Sequence, residues 1–112
     1  MAFGPADFLS LAFTLRNGDE ASRRSAVSRA YYASFLHARE RLTSTGRIVA
    51  TRTGRDHQRV IGAIRLVDSA SGNMLDRLRR LRTRADYDLT STVSSGQANN
   101  AVSLAFRLWP RL

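Results

Sequence analysis

Two arginine-containing segments hold the residues whose types and spacing suit phosphate chemistry. In the later one, Arg82 and Asp86 are four residues apart and Tyr87 follows directly. Residues at this spacing are neighbours on one helix edge, so one interpretation is an intrahelical ion pair worth on the order of a few tenths of a kcal/mol. A guanidinium also binds phosphate through paired hydrogen bonds. In the functional interpretation, Arg82 grips a scissile phosphate or nucleotide and Asp86 orients it.

The earlier segment surrounds a pair of tyrosines with basic residues. Arg24 and Arg29 flank Tyr31 and Tyr32, and Arg29 shares a helix edge with Tyr32. The structural interpretation is an aromatic ring covered by an arginine stem. In the functional interpretation Arg29 joins Arg82 in one basic cleft between the second and fourth helices. Arg24, Arg29 and Tyr32 then bind phosphate or nucleic acid.

A histidine and a basic loop form a third candidate group. His57 lies on the apolar face of the predicted third helix, as a core or interface residue or, if it faces the cleft, as a general acid–base on RNA. Arg52 and Arg55 precede it in a glycine-containing loop. That loop is either solvated or binds phosphate with help from the following helix N-terminus. No further ligands are spaced for a metal ion beside the histidines, so we expect neither metal nor cofactor.

Tyr87 also has two interpretations. It can be a half-buried phenol that fixes the end of its helix. It can instead stack on a nucleic-acid base, since every base offers a face to an aromatic ring.

Length and composition limit the classes of protein that the chain can form. Its 112 residues predict a single domain spanning residues 1–112. All 18 basic residues are arginine against 9 acidic ones, giving a net charge of +9. Arginine suits paired phosphate contacts and stacking on bases, but the complete absence of lysine favours genomic codon bias as the reason for its choice. The excess of positive charge indicates an acidic partner such as RNA, DNA, a nucleotide or an acidic antitoxin. The absence of cysteine excludes disulfides. Without a basic leader or a long apolar run, we expect a cytoplasmic protein with no membrane segment.

Apolar periodicity predicts an all-α fold, an antiparallel up-and-down bundle of about five helices. We expect Asp19 or Ser22 to cap the long second helix and Asp56 to cap the third. The Ser71-Gly72-Asn73 segment is typical of a turn before the fourth helix. Pro110 is expected to end the fifth helix.

These segments resemble the HEPN domain family, small helical proteins of prokaryotic toxin–antitoxin and defence systems. The resemblance depends on Ser-Arg-Ala-Tyr-Tyr-Ala at 28–33, on His57, and on Leu81-Arg82 followed by Asp86-Tyr87. It covers nearly the whole chain in order and spacing. It implies a five-helix domain, usually a homodimer, that acts on RNA.

The resemblance implies a metal-independent endoribonuclease toxin or effector, with Arg82, Asp86 and His57 as catalytic candidates. Catalytic members carry an arginine, a short gap and then a histidine. Here no histidine follows Arg82, and Asp86 stands near its place. In some members a tyrosine near the position of Tyr87 is adenylylated by the antitoxin. Tyr87 is therefore a candidate for modification by a nucleotidyltransferase-type antitoxin.

The missing histidine keeps two alternatives open. The first is a catalytically silent module that binds nucleic acid, a nucleotide or a partner nucleotidyltransferase. The second is a structural dimerisation subunit, whose interface would use apolar residues expected on the surface, such as Phe3, Phe13 and Trp109.

Overall fold

The computed structural model describes residues 3–112 and contains five α-helices. The helices are α1 (Pro5–Leu15), α2 (Glu20–Ser44), α3 (Arg55–Val67), α4 (Ser69–Tyr87) and α5 (Ser95–Leu108), followed by a 3-10 turn at Trp109–Arg111. No strand occurs within residues 3–112. The prediction of an all-α bundle of about five helices is confirmed.

The long helix α2 is the central element of the bundle. The Asp19 carboxylate accepts a hydrogen bond from the Ser22 amide at 2.8 Å, which confirms Asp19 as the cap. One face of α2 packs on α1, α4 and α5, and its buried residues include Val27, Tyr31 and Phe35. The side chains that α2 and α4 turn toward each other therefore have fixed relative positions.

The predicted turn at 71–73 is wrong. Helix α4 begins at Ser69, and Asp68 caps it by accepting from the amides of Ala70 and Ser71. Gly72 lies inside the helix where α4 crosses α3. A Cβ atom there would lie 2.8 Å from both the N and the Cα of Arg65. Gly72 therefore permits close contact between two helices and does not break one.

The prediction that Asp56 caps α3 is also wrong. The residue before the helix is Gly54, and Asp56 sits inside the first turn with only 1% of its surface exposed. Its carboxylate accepts hydrogen bonds from the amide and hydroxyl of Thr51 and from the amide of Arg52. Arg39 lies 3.9 Å away and Arg59 3.7 Å away. Asp56 thus fastens the preceding loop, where Arg52 has a φ of +58°, onto α3.

The environment of Asp56 predicts how stability depends on pH. The Thr51 and Arg52 hydrogen bonds lower the Asp56 pKa from 3.8 to about 2, against the opposing effect of burial. The ionised form is therefore favoured by folding. This contribution is complete above pH 4 and is lost as the pH falls towards 2. In urea unfolding, we expect Asp56→Asn to be less stable than the native chain at pH 6, with the difference shrinking below pH 4. A difference that stays constant from pH 6 to pH 2 contradicts this assignment.

Exposed apolar residues are only partly those expected. Phe3 and Phe13 are exposed, whereas Trp109 is half-buried and its ring stacks on His37 with centroids 4.1 Å apart. Trp109 therefore packs within the domain and does not offer a free apolar face. Within residues 3–112, none of the helices has the length and apolar character needed to cross a membrane.

Candidate functional site

Helices α2 and α4 bring together residues that are 50 or more positions apart in the chain. Ser28, Arg29 and Tyr32 come from α2, and Arg82 and Asp86 from α4; these five residues are called the Tyr32 cluster below. The Tyr32 hydroxyl accepts a hydrogen bond from Arg82 Nη2 at 2.8 Å. The Ser28 hydroxyl donates to Asp86 Oδ2 at 3.1 Å. The cluster thus joins the two helices through polar contacts.

Arg82 lies at the centre of the cluster in a fixed orientation. Its Nε lies 2.9 Å from Asp86 Oδ2, but the N–H is not directed at that oxygen, so the contact is an ion pair without a good hydrogen bond. The guanidinium carbon is 5.0 Å from the centre of the Tyr32 ring and 5.4 Å from that of Tyr87. The Arg82 side chain remains 18% exposed. Among residues 3–112, Nη1 donates to no partner, which leaves it for an external acceptor.

A second guanidinium lies beside the same ring. Arg29 has its guanidinium carbon 5.0 Å from the centre of the Tyr32 ring and 4.9 Å from that of Phe8. Both cations therefore lie within cation–π distance of Tyr32. One carboxylate, that of Asp86, accompanies these two cations, so the cluster has an excess of positive charge.

His57 lies beside Tyr32 and packs against aromatic rings. Its ring stacks on Phe35 at 4.3 Å and meets Tyr32 edge-on at 6.0 Å. Burial lowers the pKa of His57, and the nearby charges of Arg79 and Arg82 lower it further. The imidazole is therefore neutral at pH 7.

The hydroxyl of Tyr31 determines where the imidazole proton lies. Tyr31 is fully buried, burial raises its pKa, and its hydroxyl is within hydrogen-bonding distance of His57 Nδ1. Among residues 3–112, His57 Nδ1 is the only hydrogen-bonding partner of the buried Tyr31 hydroxyl, so we expect the hydroxyl to donate to Nδ1, because accepting from it would leave the buried phenol proton without an acceptor. The single proton of the neutral imidazole is then on Nε2, so His57 offers an N–H donor at that atom.

The tautomer of His57 can be measured directly. In the native chain, long-range ¹H–¹⁵N correlation spectra at pH 8 are expected to show His57 protonated at Nε2. Tyr31→Phe removes the donor and keeps the ring, so we expect a mixture of tautomers. Native and Tyr31→Phe spectra with the same ¹⁵N shifts for His57 would mean that Tyr31 does not fix the tautomer.

Three of the basic residues predicted to bind phosphate lie outside the Tyr32 cluster. Arg24 donates to the carbonyl oxygens of Ala85 and Asp88, both at 2.9 Å, and to that of Ser91, and it is paired with Glu20. Its donors thus hold the end of α4 in place. The side chains of Arg52 and Arg55 are exposed, and no hydrogen bond, ion pair or ring contact links them to the Tyr32 cluster among the described residues.

Tyr87 differs from the half-buried phenol considered above. It is 69% exposed, and its ring is near the Arg82 guanidinium. Its hydroxyl is therefore accessible to a partner, and its ring face is accessible to a base.

Sequence reasoning missed Ser28 and the role of Tyr31. Ser28 is buried among apolar neighbours on α2, four residues before Tyr32. A buried serine needs a hydrogen-bond partner, so the inner-face position of Ser28 was a signal of a polar contact. It did not identify Asp86, because a helical serine can also donate to the carbonyl four residues earlier, as Ser34 does to Ala30. Nothing in the spacing linked Tyr31 to His57, because α3 is positioned by tertiary packing.

The chemistry of the Tyr32 cluster suits an anion with several oxygen atoms. Arg82, Arg29 and His57 Nε2 offer N–H donors, and Asp86 is the only carboxylate among them. No group of three metal-binding side chains lies close enough together to hold an ion anywhere in residues 3–112. No protein family, curated protein or solved structure was found to match this chain.

Proposed function

We propose that the chain is a HEPN-type domain that acts on RNA as a metal-independent endoribonuclease, a toxin or effector of a prokaryotic toxin–antitoxin or defence system. The observation that carries this proposal is the position of Arg82. The Arg82 side chain is 18% exposed, its guanidinium is oriented by the Tyr32 hydroxyl and the Asp86 carboxylate, and its Nη1 donates to no described residue. A guanidinium that is already oriented loses less conformational entropy when it binds a phosphate.

The charge of the molecule supports a nucleic-acid partner. The net charge is +9, Arg29 belongs to the Tyr32 cluster, and Arg79 lies close enough to His57 to lower its pKa. Neutralising several phosphates releases condensed counterions, which gives salt-dependent affinity for RNA. The exposed ring of Tyr87 beside Arg82 adds a surface on which a base can stack.

The proposed reaction is attack of a ribose 2′-hydroxyl on the adjacent phosphorus. Asp86 takes the hydroxyl proton, and Arg82 stabilises the charge that develops on the phosphorane oxygens. His57 donates a hydrogen bond from Nε2 to a non-bridging oxygen. The 5′-oxygen leaves and takes a proton from water, and the other product ends in a 2′,3′-cyclic phosphate.

The proposal includes three partners that follow from the resemblance. They are RNA, a second copy of the chain, and a nucleotidyltransferase-type antitoxin in the cytoplasm. The accessible hydroxyl of Tyr87 is the proposed acceptor for adenylylation, since it is 69% exposed and adjoins Arg82. Transfer of a nucleotide there would place negative charge and bulk beside Arg82 and block the site.

The proposed activity is tested with end-labelled single-stranded RNA in the presence of EDTA. We expect cleavage that leaves 2′,3′-cyclic phosphate ends and that slows as salt increases. Cleavage that needs an added divalent ion, or that leaves 3′-hydroxyl ends, contradicts the proposed mechanism.

A catalytically silent RNA-binding module is the second candidate, and the state of Asp86 favours it. Its Oδ2 is already in contact with both Arg82 and Ser28, so that oxygen is not free to approach a ribose hydroxyl. The same preparation distinguishes the two candidates. Salt-dependent RNA binding without cleavage of any of several RNAs would assign the chain to the binding module.

A further inference from the structure

An open groove of about 400 Å³ adjoins the Tyr32 cluster. It runs between α1 and α2, ends at α4, and is lined by Leu11, Leu15, Ser25, Ser28, Arg29 and Asp86. Ligand pockets in proteins commonly begin at about 300 Å³, so the groove has room for one nucleobase. Ser28, Arg29 and Asp86 belong to both the groove and the Tyr32 cluster. Because Asp86 contacts Arg82, a molecule in the groove would lie next to a phosphate bound by Arg82.

The two walls of the groove differ in chemistry. Helix α1 supplies an apolar wall, on which Leu11 is 43% exposed and Leu15 is half-buried. Helix α2 supplies a polar wall with the exposed hydroxyl of Ser25, which bonds to no partner among residues 3–112. Such a groove suits a flat heteroaromatic ring, which packs its face against apolar side chains and directs its polar edge to hydrogen-bonding groups.

The end of the groove carries one free acceptor. Asp86 Oδ2 contacts Arg82 and Ser28, whereas Oδ1 makes no hydrogen bond or ion pair within the described part of the chain. Because a carboxylate oxygen has two lone pairs, Oδ1 can accept one N–H and keep the second lone pair for the proton of the ribose 2′-hydroxyl. An exocyclic amino group fits this role, as in contacts between carboxylates and the cytosine amino group. Uracil fits poorly, because two carbonyl oxygens flank its single N–H and repel the carboxylate.

We propose that this groove is a nucleobase subsite that prefers a base with an exocyclic amino group over uracil. The inference rests on the proposed function, since it gives an RNA-acting site its base preference. The base lies against Leu11 and Leu15, its amino group donates to Asp86 Oδ1, and its phosphate reaches Arg82.

The test compares CMP with UMP, which have the same ring size. Methyl resonances of Leu11 and Leu15 are followed by NMR during each titration. We expect shifts of both residues and a Kd for CMP that is tighter by roughly tenfold or more, the effect of one hydrogen bond to a charged acceptor. Asp86→Asn is expected to remove the preference, and Leu11→Gln, at an exposed position that tolerates change, to weaken both nucleotides alike.

The outcomes separate this subsite from the proposed function. If RNA still shifts the Arg82 Nε resonance but CMP and UMP bind equally or leave both leucines unmoved, the subsite is wrong and the phosphate site stands. If RNA leaves Arg82 unmoved, the proposed function fails as well. A preference for CMP with equal binding of oligo(C) and oligo(U) would assign the groove to free nucleotides and overturn it as an RNA subsite.

Discussion

Arg82→Ala is expected to lower the rate of RNA cleavage by about a hundredfold or more, the usual effect of losing one donor that stabilises transition-state charge. The reason is positional, because the Arg82 guanidinium is held by the Tyr32 hydroxyl at 2.8 Å and by Asp86. Arg82→Lys keeps the charge but cannot offer paired donors in one plane. We therefore expect an intermediate rate for the lysine variant. The cleavage rates of the native chain and the two variants are compared on one end-labelled RNA, with the RNA at saturating and then at limiting concentration.

The matched control for this experiment is Arg77→Ala. Arg77 lies exposed on the same helix and donates no hydrogen bond within residues 3–112, and its replacement by alanine removes the same charge as Arg82→Ala does. We expect a modest loss of affinity and an unchanged maximal rate. Arg82→Ala itself should cost on the order of 1 kcal/mol of stability, since its partners are partly exposed and can bond to water. Equal effects of both variants on the maximal rate would show that Arg82 acts only through general charge.

Gly72→Val is expected to give the largest loss of stability of any single substitution discussed for this chain. A Cβ atom at position 72 would meet the backbone of Arg65 at 2.8 Å, so α3 and α4 would have to move apart. Overpacking of this kind costs about 1–3 kcal/mol and outweighs the gain of about 1 kcal/mol from replacing a helical glycine with alanine. Gly72→Ala should therefore destabilise by urea unfolding, and Gly72→Val should do so more strongly.

Gly62 provides the control for that prediction. It lies inside α3, where an added Cβ would have no heavy atom within 4 Å. Gly62→Ala should therefore raise the free energy of unfolding by up to about 1 kcal/mol through helix propensity alone. The interpretation of Gly72 fails if both alanine variants raise stability by the same amount.

The features of this fold that depend on neighbouring residues could be predicted from the sequence, whereas those that depend on tertiary packing could not. The five helices were predictable because their apolar periodicity and caps such as Asp19 depend only on residues within a few turns. The start of α4 was not predictable from the sequence. A glycine that ends a helix and a glycine that allows two helices to pack closely have the same sequence signal. The role of Asp56 was missed for a related reason, since its carboxylate turns back to Thr51 and Arg52 and leaves the helix end without a side-chain cap.

The candidate site was only partly predictable from the sequence. The neighbouring positions of Arg82 and Asp86 follow from helical spacing, and the structure places them 2.9 Å apart. Their contacts with Ser28 and Tyr32 depend on how α2 and α4 pack. The use of Arg24 to hold carbonyl oxygens of α4 also required the tertiary structure, because a guanidinium that binds backbone and one that binds phosphate have the same sequence signal.

The packing of α2 against α4 around Tyr32 determines when these contacts can form during synthesis of the chain. Tyr32 and Arg82 are 50 residues apart, and Ser28 and Asp86 are 58 apart. Closing such long loops costs entropy that only later packing offsets, so these contacts form late in folding. A nascent chain that has not yet exposed α4 outside the ribosome has no oriented Arg82. The growing polypeptide therefore acquires an oriented Arg82 only after the two distant helices have met.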